Sequence, residues 1–167
     1  RRFDLLSQVA LDRRPGVVIN MGDWFDMPSL CSYDKGQKSF EGRRYLKDVE
    51  AGRDAMARFS GPITEHNRKY PNDQYKPRLV ALGGNHDEGR INRLCQLQPE
   101  LDGVVSINDL GYAEFGWEYI PFLTPITIDG VSYCHYYISG AKGLPIGGLH
   151  PAATLLSKLH QSVTVAH

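Results

Sequence analysis

Two short blocks carry side chains able to hold a metal ion: Gly22-Asp23-Trp24-Phe25-Asp26 and Gly83-Gly84-Asn85-His86-Asp87. Each follows an apolar run with the pattern of a buried strand, Val17 to Met21 and Arg78 to Leu82. In α/β proteins, chemistry gathers where strands end and loops begin. Carboxylates at Asp23 and Asp26 and the Asn85-His86 pair therefore point to one shared site, built from oxygen and nitrogen atoms. Two further histidines sit in strand-like runs. His135 follows Val131 to Cys134, and His167 follows Ser162 to Ala166. A lone strand histidine is more often a satisfied core residue than a ligand. His66, His150 and His160 have no partner pattern and read as surface residues.

The elements that must position these groups follow from periodicity. Phe3, Leu6, Val9 and Ala10 recur at helical spacing until Pro15-Gly16, which predicts a helix covering one face of a sheet. Residues 27–42 read as a polar loop of the kind that often carries function behind a site. Residues 43–70 have a helical pattern, with Gly61-Pro62 expected to break it into two helices. Residues 88–97 read as a short helix ended by Pro99. Residues 117–120 and 125–128 read as strands, and Asp129-Gly130 as the hairpin turn. A returning strand is expected through Tyr137. Its alternation sets Val131, Tyr133, His135 and Tyr137 on one face and Cys134 on the other. The glycine-rich residues 139–150 read as a flexible loop, either a lid or a plain connector. Pro151 is expected to start a helix running to about His160.

The chain has 167 residues, 41% of them hydrophobic, enough for one domain with its own core. Lys+Arg and Asp+Glu are 19 each, so net charge selects no class of partner. Basic residues concentrate in the middle, which suits either a phosphate-bearing substrate or a solvated helix face. Cys31, Cys95 and Cys134 form an odd, scattered set without a CxxC pair. This argues against a disulfide framework and for a reducing compartment. No apolar run reaches membrane length. The order of elements predicts an α/β fold with a mixed sheet, or two packed sheets, and helices outside.

The two blocks, read as GD-x-x-D and GNH-[DE], match without a gap those of the calcineurin-like metallophosphoesterases, and the chain resembles that superfamily. The resemblance implies a four-layer α/β/β/α sandwich with metals at the strand ends. It also implies hydrolysis of a phosphoester by a hydroxide activated between two divalent ions, Mn, Fe or Zn. By this resemblance Asp23 is the bridging carboxylate, and Asn85, His135 and His167 are ligands of the second metal. His86 is the general acid, oriented by Asp26, while Asp87 fixes the loop. Arg90 reads as a surface ion pair rather than a phosphate contact. The family's D-x-H block is not found, and at the end Ala166 stands where G-H-x-H has its glycine. The expectation is a single domain over residues 1–167, lacking its first strand and its C-terminal end and holding at most one metal well.

Residues 22–30 and 39–45 are similar to phosphoesterases of bacteriophages, which implies a site of action in the bacterial cytoplasm. A nucleotide, DNA or a phosphomonoester are the substrates left open. A partner-binding scaffold of low or no activity is the competing function.

Overall fold

A computed structural model describes residues 2–166. The chain is mixed α/β, with two small three-stranded sheets and one two-stranded hairpin among the described residues. Helix α1 spans Arg2–Arg13, strand β1 Val17–Asn20, helix α2 Tyr45–Lys69 and strand β2 Arg78–Leu82. Helix α3 (Glu88–Leu97) and strand β3 (Trp117–Ile120) follow. These elements form the first sheet and its cover. The sheet has the order β1-β2-β3 and all its pairings are parallel.

β2 lies in the centre of this sheet, and its last three residues are buried. A run apolar on both faces belongs in that position. Its end delivers the chain straight into Gly83-Gly84-Asn85, beside the end of β1. Phe25, Met56, Phe59 and Trp117 share one buried cluster with Ala10, Ile63 and Ala81. Trp24 packs on this cluster, with its ring centroid 4.9 Å from Phe3 and 5.4 Å from Trp117. The same cluster that joins the helices to the sheet therefore anchors the loop carrying Asp23 and Asp26.

The second sheet has the order β4-β5-β8, from Ile126–Ile128, Val131–Tyr133 and Val163–Thr164. Asp129 and Gly130 both have positive φ, 49° and 78°, as a tight two-residue hairpin requires. Helix α4 spans Pro151–Leu159 and has proline in its first turn, as expected. No described helix is long and apolar enough to cross a membrane.

Three expectations are corrected. First, α2 is one helix of 25 residues that continues through Pro62. The bond lost at Pro62 would have ended on the carbonyl of Arg58, an exposed residue where water can replace it. Phe59 and Ile63, one turn apart on either side of it, are both buried and hold the helix to the core. Pro62→Ala is expected to stabilise the protein by about 1–2 kcal/mol. This is the helix penalty of proline less the entropy that proline removes from the unfolded chain. Thermal denaturation checks it, and a fall in midpoint would mean that ring packing outweighs the missing bond.

Second, β5 stops at Tyr133, because its partner β4 begins at Ile126 and the two residues pair. Beyond it the alternation fails: Cys134 and His135 are both buried. Third, residues 139–150 are not a featureless loop. Strands β6 (Ile138–Ser139) and β7 (Leu144–Pro145) close a short hairpin, tied at its base by the Ile146 N–H to the Tyr137 carbonyl at 2.7 Å.

Candidate functional site

Asp23, Asp26, Asn85, His86 and His135 come together, although they arise from three separate stretches. Asp23 follows β1 and has φ +55°, a left-handed conformation that Asp tolerates better than most residues. Gly22 before it has φ +100°, and a Cβ there would strike the His135 ring. A Cβ on Gly84 would strike the carboxylate of Asp23. The glycines of both blocks are thus what lets the two loops and His135 approach so closely. The backbone N–H of His86 donates to Asp23 Oδ1 at 2.9 Å and joins the blocks directly.

His135 arrives from the second sheet. It is 2% exposed, and its Nδ1 lies 2.7 Å from the carbonyl of Met21. A carbonyl only accepts, so Nδ1 carries a proton, and a neutral ring would then present a lone pair at Nε2. That atom lies 2.8 Å from Asn85 Oδ1 and 3.4 Å from Asp23 Oδ2. With the ring neutral, three acceptor atoms converge on one point. A proton on Nε2 or a divalent cation among the three would each satisfy them. Turning the Asn85 amide over would satisfy the ring alone. In chemical type the set fits a divalent ion that accepts mixed N and O ligands. Among the described residues, no group of three or more His, Cys, Asp or Glu forms a metal cluster, and here the third ligand atom belongs to an amide. His167, the fourth expected ligand, lies outside the described residues. Its neighbour Ala166 donates from its backbone N–H to the His135 carbonyl at 3.0 Å.

His86 and Asp26 form the second part of the site. His86 Nδ1 lies 2.5 Å from Asp26 Oδ1, so the carboxylate fixes the ring and leaves Nε2 for other work. Asp26 is itself held. Arg90 donates to the carbonyls of Asp26 and Met27, at 2.5 and 3.2 Å. Arg90, expected as a surface ion pair, does pair with a carboxylate, its guanidinium 3.7 Å from Asp26 Oδ1, and in addition clamps the loop backbone from a largely buried position.

Asp87 fixes the loop, as expected. It is fully buried and accepts from the N–H groups of Gly84 and Glu88, at 2.5 and 2.7 Å, and from the Tyr112 hydroxyl at 3.3 Å. Burial pushes its carboxyl above the ordinary value of 3.8, and pushes the Tyr112 hydroxyl well up too. Asp87→Ala is expected to cost about 2–5 kcal/mol, because two buried N–H groups lose their acceptor. Asp87→Asn should cost much less, since its amide oxygen can still accept both. The raised carboxyl binds its proton more tightly in the folded state. The wild type therefore loses stability as pH rises from about 3.8 through the raised value, and Asp87→Asn should lack that loss. Urea denaturation at several pH values checks both points.

Glu88 Oε2 accepts from the Tyr119 hydroxyl and from the backbone N–H of Phe122, each at 2.5 Å. This bond ties the start of α3 to the segment after β3 and sets Phe122 at 6.1 Å from the His135 ring. His66, read as a surface residue, is half-buried, with Nε2 3.0 Å from an Arg14 guanidinium nitrogen and 2.9 Å from the Asp73 carbonyl; its tautomer decides which of the two it bonds. His150 and His160 are exposed, as expected.

A cleft of about 530 Å³ opens beside Asn85 and His86. Sequence reasoning did not single out Arg93, Phe122 or Leu144 as members of its wall. Only Arg93 had a visible signal, a second arginine three residues after Arg90 on the same helical face. Comparison with family models, curated proteins and solved structures finds no match to this chain.

Proposed function

We propose that the chain is a metal-dependent phosphoester hydrolase of the calcineurin-like metallophosphoesterase kind, with the four-layer α/β/β/α architecture of that superfamily. One observation carries the reading. The acceptor atoms of Asp23, Asn85 and His135 meet beside a His86–Asp26 pair whose free ring nitrogen is available to the cleft. Asp23, Asn85 and His135 would hold a divalent ion of the Mn, Fe or Zn type. Such ions supply charge for the phosphate oxygens and acidify water.

The rest of the mechanism belongs to the side chains. Asp26 orients the His86 ring by accepting from Nδ1–H. Nε2–H then faces the leaving oxygen and transfers a proton to it as the ester bond breaks, which avoids release of a strongly basic alkoxide. Arg90 keeps Asp26 at the right place by holding two carbonyls of its loop. Asp87 and Glu88 hold the Asn85-His86 loop from below. Elemental analysis for bound metal, with turnover assays on bis-(4-nitrophenyl) phosphate and 4-nitrophenyl phosphate, tests the reading. Metal binding with turnover of either ester supports it. A protein that binds no divalent ion and cleaves neither would sink it.

A further inference from the structure

We propose that the cleft beside His86 takes a nucleotide as the leaving half of the substrate, so that the ester cleaved is a nucleotide phosphodiester. The inference deepens the phosphoesterase reading and rests on it for the reaction, though not for the binding. Its volume of about 530 Å³ is that of a site for a small organic molecule rather than for a bare phosphate. Residues 30–33 close one side of it, and two further walls carry the binding chemistry. One is cationic: α3 presents Arg90 and Arg93 on a single face. Arg90 is occupied by the carbonyls of Asp26 and Met27. Arg93 makes no hydrogen bond or ion pair with another described residue, and it lines the same cleft one turn further along the helix. The other wall is aromatic and apolar. Phe122 and Tyr136 meet edge to face at 5.4 Å and 89°, and Leu144 of the β6–β7 hairpin continues their surface with 60% exposure.

A flat apolar group bearing an anion satisfies both walls, and a nucleotide is the common metabolite class with that chemistry. The base lies against Phe122, Tyr136 and Leu144, and a phosphate beyond the scissile one meets Arg93. In the reaction the oxygen of water joins phosphorus and its proton is released to solvent, the ester P–O bond breaks, and the departing nucleotide oxygen takes the proton of His86, which regains one from solvent. Arg93 and the aromatic wall are specificity residues in this scheme. They act on the part of the substrate that leaves.

Binding is tested apart from catalysis. Thymidine 3′,5′-bisphosphate is titrated into the full chain by calorimetry in the presence of a chelator, at fixed ionic strength. Wild type should bind it, and Arg93→Gln, at an exposed position, should weaken it about 10-fold or more, the loss expected for one charge-assisted contact. Ribose 5-phosphate, which lacks the base, should bind at least about 10-fold more weakly than thymidine 5′-phosphate. No binding of the bisphosphate, equal affinity in the variant, or equal affinity for the two monophosphates would overturn the proposal. Turnover of bis-(4-nitrophenyl) phosphate by metal-loaded wild type separates the two ideas. Nucleotide bound with no ester cleaved supports the cleft and removes the phosphoesterase reading. Ester cleaved with no nucleotide bound removes the cleft proposal alone.

Discussion

His86→Ala is expected to lower turnover by about 10²-fold or more while leaving divalent-ion binding intact, because the proposed role of the residue is that of an acid and not of a ligand. Its ring nitrogen Nδ1 is taken by Asp26 at 2.5 Å, and the ring does not join the convergence of Asp23, Asn85 and His135. The loss should depend on the leaving group. A 4-nitrophenolate departs readily without a proton, whereas an alkoxide does not. The variant should therefore be impaired far more on an alkyl or nucleoside ester than on a nitrophenyl ester. Asp26→Asn should follow the same trend with a smaller loss, since an amide oxygen still accepts from Nδ1–H but stabilises the imidazolium less. Rates for a series of esters graded by leaving-group acidity check this. Equal losses across the series would remove His86 from the role of acid.

Asp23→Asn is expected to separate metal affinity from stability. One oxygen of Asp23 accepts from the His86 N–H at 2.9 Å, and an amide oxygen can do the same. The other oxygen lies 3.4 Å from His135 Nε2, which carries a lone pair in the neutral ring whose Nδ1–H is given to Met21. An amide nitrogen placed there becomes a donor to that lone pair and relieves the crowding of acceptors. The variant should thus fold, with a metal-free melting temperature equal to or above that of the wild type. Its affinity for Mn²⁺ should fall by about 10²-fold or more, because a neutral ligand replaces the anion at the centre of the set. Calorimetric titration with Mn²⁺ and thermal melts in a chelator test the two halves together. Unchanged Mn²⁺ affinity would show that Asp23 is not a ligand.

The meeting of Asp23, Asp26, Asn85 and His86 was legible because their two blocks are local. A buried strand that ends in glycine and polar residues has the same appearance in a string of letters as in the fold. β1 and β2 run side by side with Asn20 opposite Ala81, so the loops that follow them are neighbours. The Asp129-Gly130 turn and the proline start of α4 were legible for the same reason. Each depends on the φ preference of one or two residues.

What tertiary structure decided lies at longer range. Pro62 should have ended α2, yet burial of Phe59 and Ile63 against the core outweighs one missing backbone bond. His135 lies 114 residues from Met21 in sequence, and alternation along its strand said nothing of the carbonyl that selects its tautomer. Arg90 reads as an ion pair and makes one with Asp26. It is also a clamp, because the carbonyls of residues 26 and 27 turn toward α3 and need donors. Residue type and spacing determine which atoms are able to bind, donate or accept. Which of them meet is set by the order of strands in the sheets and by the burial that holds loops against helices. Those are properties of the whole packed chain, and no short stretch contains them.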